Sequence, residues 1–284
     1  MGLMRRTGVI VTAVASAAVV TPWLAGPATA APCPDAEIVF ARGTTEAPGV
    51  GPTGQAFVDA VRSQVGPKSV GVYAVDYPAT MAFSTAVQGI SDARAHILST
   101  VASCPDTKLV LGGFSQGAAV MGFVTASVVP EGVSPDDVPA PMPPEVADHV
   151  AAVVLFGKPS TRFMNVLKDP DVVVGPYYAA KSVDLCVDND LVCDPRGRGF
   201  AVHNQYTELG LVNQGATFAV QRLQAEWAAE AATAAAAGEE PAPGPDATAL
   251  VVSDDDQAPV PHLAPVTPVP MGPPPGPAVP SAQA

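Results

Sequence analysis

Charge is scarce in this chain of 284 residues. Only 14% of them are Asp, Glu, Lys or Arg, and 14 basic residues face 27 acidic ones. A net charge of −13 leaves no basic stripe for a phosphate backbone, which excludes nucleic acid as a partner. Aromatic residues are also few, at 6%. The mean hydropathy is nonetheless positive, at +0.26, because Ala and Val are abundant. Long apolar runs are lacking everywhere except the N-terminus, so no integral span is expected beyond it. None of the four cysteines forms a Cys-x-x-Cys pair, the spacing that most often marks structural zinc. No metal and no cofactor is expected. The length itself excludes a disulfide mini-protein, since a chain this long can bury one large core.

Proline is the opposite case, with 32 residues, too many for one ordinary domain. Much of the excess is C-terminal: Glu239 to Ala284 holds 13 prolines and six acids, with no Lys, Arg or aromatic residue. Such a segment cannot bury enough apolar surface to offset its ordering entropy. Residues 237–284 therefore read as a Pro-rich, partly polyproline-II tail, a spacer or a contact to the cell wall. Residues 1–30 read as a secretory signal. Arg5 and Arg6 precede an apolar stretch from Val9 to Val20, and Ala28-Thr29-Ala30 supplies small residues for cleavage. Twelve apolar residues are too few for a bilayer span, which needs about 20. An exported protein, extracellular or wall-associated, is the expectation, with one domain over residues 31–236.

Within that domain strand and helix alternate. Glu37–Ala41, Val70–Val75, Lys108–Gly112, Val150–Phe156 and a segment near Val183–Cys186 read as strands. Thr53–Val65, Ser84–Ala102 and Gln116–Val128 have helical spacing, and two further helices are expected near Asn204–Leu211 and Gln214–Ala232. Pro130–Pro144 reads as loop. This alternation implies a parallel sheet covered on both faces, with any site beyond the carboxyl ends of its strands.

Gly113-Phe114-Ser115-Gln116-Gly117 lies at such an end. The Gly-x-Ser-x-Gly pattern follows an apolar strand and opens a helix, the context of a nucleophile elbow, and it makes Ser115 the candidate nucleophile. A serine needs a base, and His is the usual one near neutral pH. Of four histidines, His262 falls in the tail, His96 within a long helix, and His149 before a strand. His203 follows the last strand on a Gly-rich approach, where a triad base belongs. Asp184, Asp188, Asp190 and Asp194 precede it as candidate acids. Asp190 is enclosed by Cys186 and Cys193, but spacing alone does not exclude Asp188. Four cysteines allow three disulfide pairings, of which Cys186–Cys193 is the local one and would leave Cys33 with Cys104. A four-cysteine zinc site is the rival.

The chain resembles the cutinase family, and most closely its actinobacterial cutinase-like serine esterases. Four segments carry the resemblance: Phe40-Ala41-Arg42-Gly43-Thr44-Thr45-Glu46, the serine pentapeptide, Cys186-x-x-x-Asp190-x-Val192-Cys193, and His203 ten residues beyond. The resemblance implies a three-layer α/β-hydrolase-type fold and hydrolysis of carboxylic esters or lipids. It makes Asp190 the acid and His203 the base, and it places Thr44 in the oxyanion hole beside the backbone N–H of Gln116. It also favours the pairs Cys33–Cys104 and Cys186–Cys193. Asp194-Pro195-Arg196 departs from it, since cutinases usually carry small residues after the second loop cysteine.

Met81, Phe83, Phe200, Ala201 and Val202 are candidate apolar lining. The Pro130–Pro144 loop, with Asp136 and Asp137, suits an exposed loop better than a lid. An open pocket and short to medium acyl esters are therefore expected. The alternatives are a phospholipase A or thioesterase using the same residues, and a non-catalytic wall-binding protein on an esterase scaffold.

Overall fold

Alternate residues of the central strands divide the interior in two. In the computed structural model, which describes residues 32–238, five parallel strands form one sheet in the order β2-β1-β3-β4-β5. They are β1 (Ala36–Ala41), β2 (Val70–Ala74), β3 (Lys108–Phe114), β4 (Val150–Phe156) and β5 (Ser182–Leu185). β3 and β4 are buried at every residue, which is why both read as continuous apolar runs. β2, at one edge, is only half buried.

Ile38, Phe40, Val110, Val154 and Phe156 face one side. There they meet α1 (Gly51–Gln64) and α6 (Leu211–Gly238). Val39, Leu109, Leu111, Val153 and Leu155 face the other, against α2 (Ala86–Ser103) and α3 (Gln116–Val124). Two short helices, α4 (Thr161–Leu167) and α5 (Pro176–Ala179), follow β4. They lack the length to show a periodic signal and were not legible in the sequence. The result is the three-layer α/β-hydrolase-type architecture.

Three departures from the sequence expectation exceed two residues. α3 stops at Val124 rather than Val128, because the Thr125 hydroxyl turns back to the carbonyls of Met121 and Gly122, both at 2.9 Å. No helix spans Asn204–Leu211. A 3-10 turn, Ala201–Asn204, is followed by turns that end at Gly210, whose φ of 79° only glycine adopts readily. α6 then runs without interruption to Gly238, two residues past the expected domain end. Its first half buries Val212, Ala216, Ala219, Val220 and Leu223, spaced as one helical face. Trp227 still packs against this core, and the Ala-rich run from Ala228 to Ala236 is exposed and is carried by intrinsic helix propensity. Residues 1–31 and 239–284, where the signal and most of the tail are expected, lie outside the described residues. Among the described residues, no helix is long and apolar enough to cross a membrane.

All four cysteines are bonded, as Cys33–Cys104 and Cys186–Cys193, which disposes of a zinc site built from them. The first ties the start of the domain to the end of α2 across 71 positions. In the chain-entropy treatment a loop of that length stabilises by about 4 kcal/mol. The double variant Cys33→Ser/Cys104→Ser is therefore expected to lose about that much in urea unfolding. A loss well under 1 kcal/mol would contradict a structural role for this bond.

Candidate active site

The strand order places a crevice between the carboxyl ends of β1 and β3, where successive connections leave in opposite directions. Ser115 stands there, between β3 and α3. Its backbone has φ 55° and ψ −117°, a strained conformation for a residue with a side chain. The strain is held from both sides. The Ser115 N–H donates to the Phe156 carbonyl at 2.9 Å, and α3 presses so close to β1 that a Cβ on Gly117 would collide with the Ala41 carbonyl. The motif glycine is thus a packing requirement. The turn exposes the serine hydroxyl at the N-terminal, positive end of α3.

His203, on the 3-10 turn after β5, lies between two partners. Its Nε2 is 2.8 Å from Ser115 Oγ and its Nδ1 is 2.7 Å from Asp190 Oδ2. The ring stacks on Phe114 at 5.0 Å. Asp190 is wholly removed from solvent, at 0% exposure. Burial alone pushes its carboxyl up. Hydrogen bonds from His203, the Val192 N–H (2.8 Å) and the Tyr206 hydroxyl (2.7 Å) outweigh it and hold the group below the usual carboxylate range. Burial, then the bond to Asp190, drives the Tyr206 phenol far above its ordinary value, so it remains a donor. The other acids stand elsewhere. Asp188 is exposed, and Asp184 pairs with Lys158 at 3.2 Å.

Asp194 has a separate task. Its carboxylate accepts the N–H groups of Asn189 (3.0 Å) and Arg196 (2.8 Å). Arg162 donates to the carbonyls of Pro195 and Gly197. Asp194, part of the departure noted in the sequence, and Arg162 therefore staple the loop that carries Asp190. The Cys186–Cys193 bond closes the same loop, with Cys193 Sγ 3.2 Å from the Tyr206 hydroxyl.

Thr44 lies in the turn after β1 and lines the same groove as Ser115, Gln116 and His203, a cavity of about 320 Å³. The Gln116 N–H is the first of α3 and has no partner within the helix. The Thr44 turn is braced from below. Buried Arg42 donates to the carbonyls of Glu46, Val75 and Tyr77, and the Glu46 carboxylate accepts the Gly43 N–H at 2.6 Å. Burial raises the Glu46 carboxyl. Met81, Phe83 and Phe200 line the groove as expected. Ala201 and Val202 do not: Ala201 is exposed on the turn, and Val202 points toward the core behind it. Phe163 and Leu167 of α4 take part instead. His96 stacks on Tyr73 beside Glu37, and His149 contacts the Pro105 carbonyl, both away from the groove.

Tyr206, Arg42 and Glu46 had not been singled out as functional. Arg42 and Glu46 do fall within the first family-like segment. Tyr206 carries no motif; its only signal is its place one turn beyond the histidine.

A doubly wound parallel sheet with this site at its switch point defines an α/β-hydrolase-type fold, and its relatives make the chain a carboxylic ester hydrolase. A family model described as Cutinase matches residues 32–223, and the chain belongs to the cutinase family. Carboxylesterase Culp1 of Mycobacterium tuberculosis is 46% identical over 78% of this chain and 96% of its own. Phospholipase Culp4 of the same organism is 43% identical over 78% and 94%. Among solved structures, Trichoderma reesei cutinase bound to a phosphonate inhibitor superposes with a TM-score of 0.52 at 30% identity, over 68% of this chain and 78% of its own.

Turnover of a soluble ester separates the acids. Asp190→Asn is expected to lose about 10,000-fold, since the amide leaves the imidazole in the wrong tautomer, and Asp188→Asn almost nothing. Tyr206→Phe removes a bond to a buried charge worth about 1.5–3 kcal/mol, with a corresponding fall in stability and a smaller fall in turnover. A large loss in Asp188→Asn would reverse the assignment.

Proposed function

We propose that the chain is a secreted serine esterase in which Ser115, His203 and Asp190 form the catalytic triad. The observation that carries this reading is the continuous path of hydrogen bonds from Ser115 Oγ through both ring nitrogens of His203 to a fully buried carboxylate.

The chemistry follows from the geometry. Ser115 Oγ attacks the ester carbonyl carbon while His203 Nε2 takes its proton. Asp190 holds the Nδ1 proton and stabilises the imidazolium that results. The negative charge on the tetrahedral oxygen meets the Gln116 N–H at the start of α3 and the donors of Thr44. Loss of one such donor typically costs about 100- to 1,000-fold. His203 returns its proton to the leaving alcohol, and an acyl-enzyme remains. Water, deprotonated by His203, then attacks the acyl carbon; as the acyl–Oγ bond breaks and the acid leaves, His203 returns that proton to Ser115 Oγ.

The groove between Met81, Phe83, Phe163, Leu167 and Phe200 suits short to medium acyl chains. A phospholipase reading is favoured by one further observation: Met81 and Phe200 are exposed at 80% and 60%, so the mouth of the groove offers apolar side chains to a lipid surface. The likeness to a protein named phospholipase points the same way. Export is supported by the two disulfides and the leader pattern of residues 1–30. Wall contact through the tail remains part of the same proposal.

The test is covalent. A fluorophosphonate probe should label the unaltered protein and fail to label Ser115→Ala, which should also lose hydrolysis of a soluble ester while keeping its circular dichroism spectrum. Labelling or turnover that persists in Ser115→Ala would refute the nucleophile. A folded, unaltered protein that neither labels nor hydrolyses any ester would favour the wall-binding alternative.

A further inference from the structure

A second cavity, of about 220 Å³, lies behind the groove and beneath the Pro130–Pro144 loop. The loop is not simply exposed, as its sequence suggested. Val133, Val138, Pro139 and Pro141 turn inward and roof a space floored by α2 and α3. An apolar cavity of about 150 Å³ is already enough to take up benzene.

Phe83 stands between the two spaces. Its ring lines the catalytic groove and also this cavity. It is only half buried, and it packs beside Phe123 against a small cluster of Ala119, Met164 and Val172. Beyond it, Val87, Ile90 and Arg94 follow along α2 at one-face spacing, a run of about 10 Å from Val87 to Arg94 at the helical rise. Among the described residues, the ionisable lining groups are Arg94, Asp137 and Asp169. Arg94 Nε is buried without a hydrogen-bond partner.

We propose that this cavity receives the distal part of a long, unbranched acyl chain whose carbonyl sits at Ser115, the chain passing Phe83 and running along α2 toward Arg94. The proposal rests on the esterase reading of Ser115 and extends its substrate class from short and medium chains to long ones. The shared Phe83 wall favours a substrate chain over an unrelated apolar ligand, because it sets the cavity directly beside the catalytic groove, with one half-buried ring to pass. The elongated apolar face of α2 matches a chain better than a compact ring system. Arg94, with Asp137 and Asp169, sets the limit, since a methyl end gains nothing by reaching charge. Up to that limit each methylene that becomes buried is worth roughly four-fold in kcat/KM.

The test is a chain-length series of p-nitrophenyl esters, butyrate, octanoate, dodecanoate and hexadecanoate, dispersed in one detergent and offered to the full chain. In the unaltered protein, kcat/KM should still rise beyond octanoate. Val87→Trp, which fills the cavity, should lower the dodecanoate-to-butyrate ratio by at least about ten-fold, equivalent to two methylenes expelled. Val138→Phe blocks the same space from the loop and covers the case in which the tryptophan disturbs α2. Phe83→Ala should not lower that ratio. Ratios unchanged in both blocking variants would overturn the proposal while leaving the esterase reading intact. Failure of the unaltered protein to hydrolyse butyrate would overturn both.

Discussion

A carboxylate with no exposed surface sets the terms for the rest of this site. Asp190 survives as an anion in the interior because three donors converge on it: His203 Nδ1, the Val192 N–H and the Tyr206 hydroxyl. An unpaired buried charge would cost several kcal/mol, so each donor must be held in place. The loop around Asp190 is built to do that. A disulfide closes it, Asp194 caps two of its amides, and Arg162 ties down two of its carbonyls. The precision demanded by Asp190 is then passed to His203, and through it to Ser115.

The sheet supplies the other half of that precision. Ser115 sits on a backbone conformation that costs energy, and the cost is met by buried neighbours on β1, β3 and β4. Strand order opens the crevice at the same end. Arg42 and Glu46 brace the turn that presents Thr44 from the far side. Ser115, His203 and the Thr44 turn therefore come from three separate connections, each fixed by its own buried contacts. Apolar side chains line both the mouth of the groove and the space behind Phe83.

Much of this was legible before any coordinates. β3 and β4 announce themselves as apolar runs because both of their faces are covered, and Ser115 because a nucleophile elbow needs glycine where α3 crowds β1. His203 followed from chain order, and Asp190 from its place between two cysteines together with family likeness. What escaped was of two kinds. Short helices such as α4 hold too few residues for a period, yet Phe163 and Leu167 line the groove. Tyr206, Arg42 and Glu46 act through contacts between segments distant in sequence or through polar bonds that no hydrophobic pattern records. The Pro130–Pro144 loop was misread for a related reason. Its prolines and acids describe the outward face, whereas Val133 and Val138 turn inward only because α2 and α3 leave a space beneath them.

The bond between His203 and Asp190 can be observed directly. In a proton NMR spectrum of the resting protein, a hydrogen shared between imidazole Nδ1 and a buried carboxylate resonates far downfield of the amides. The account predicts such a resonance, retained in Asp188→Asn and lost in Asp190→Asn. Its absence from the unaltered protein, or its survival in Asp190→Asn, would contradict the arrangement on which everything else here depends.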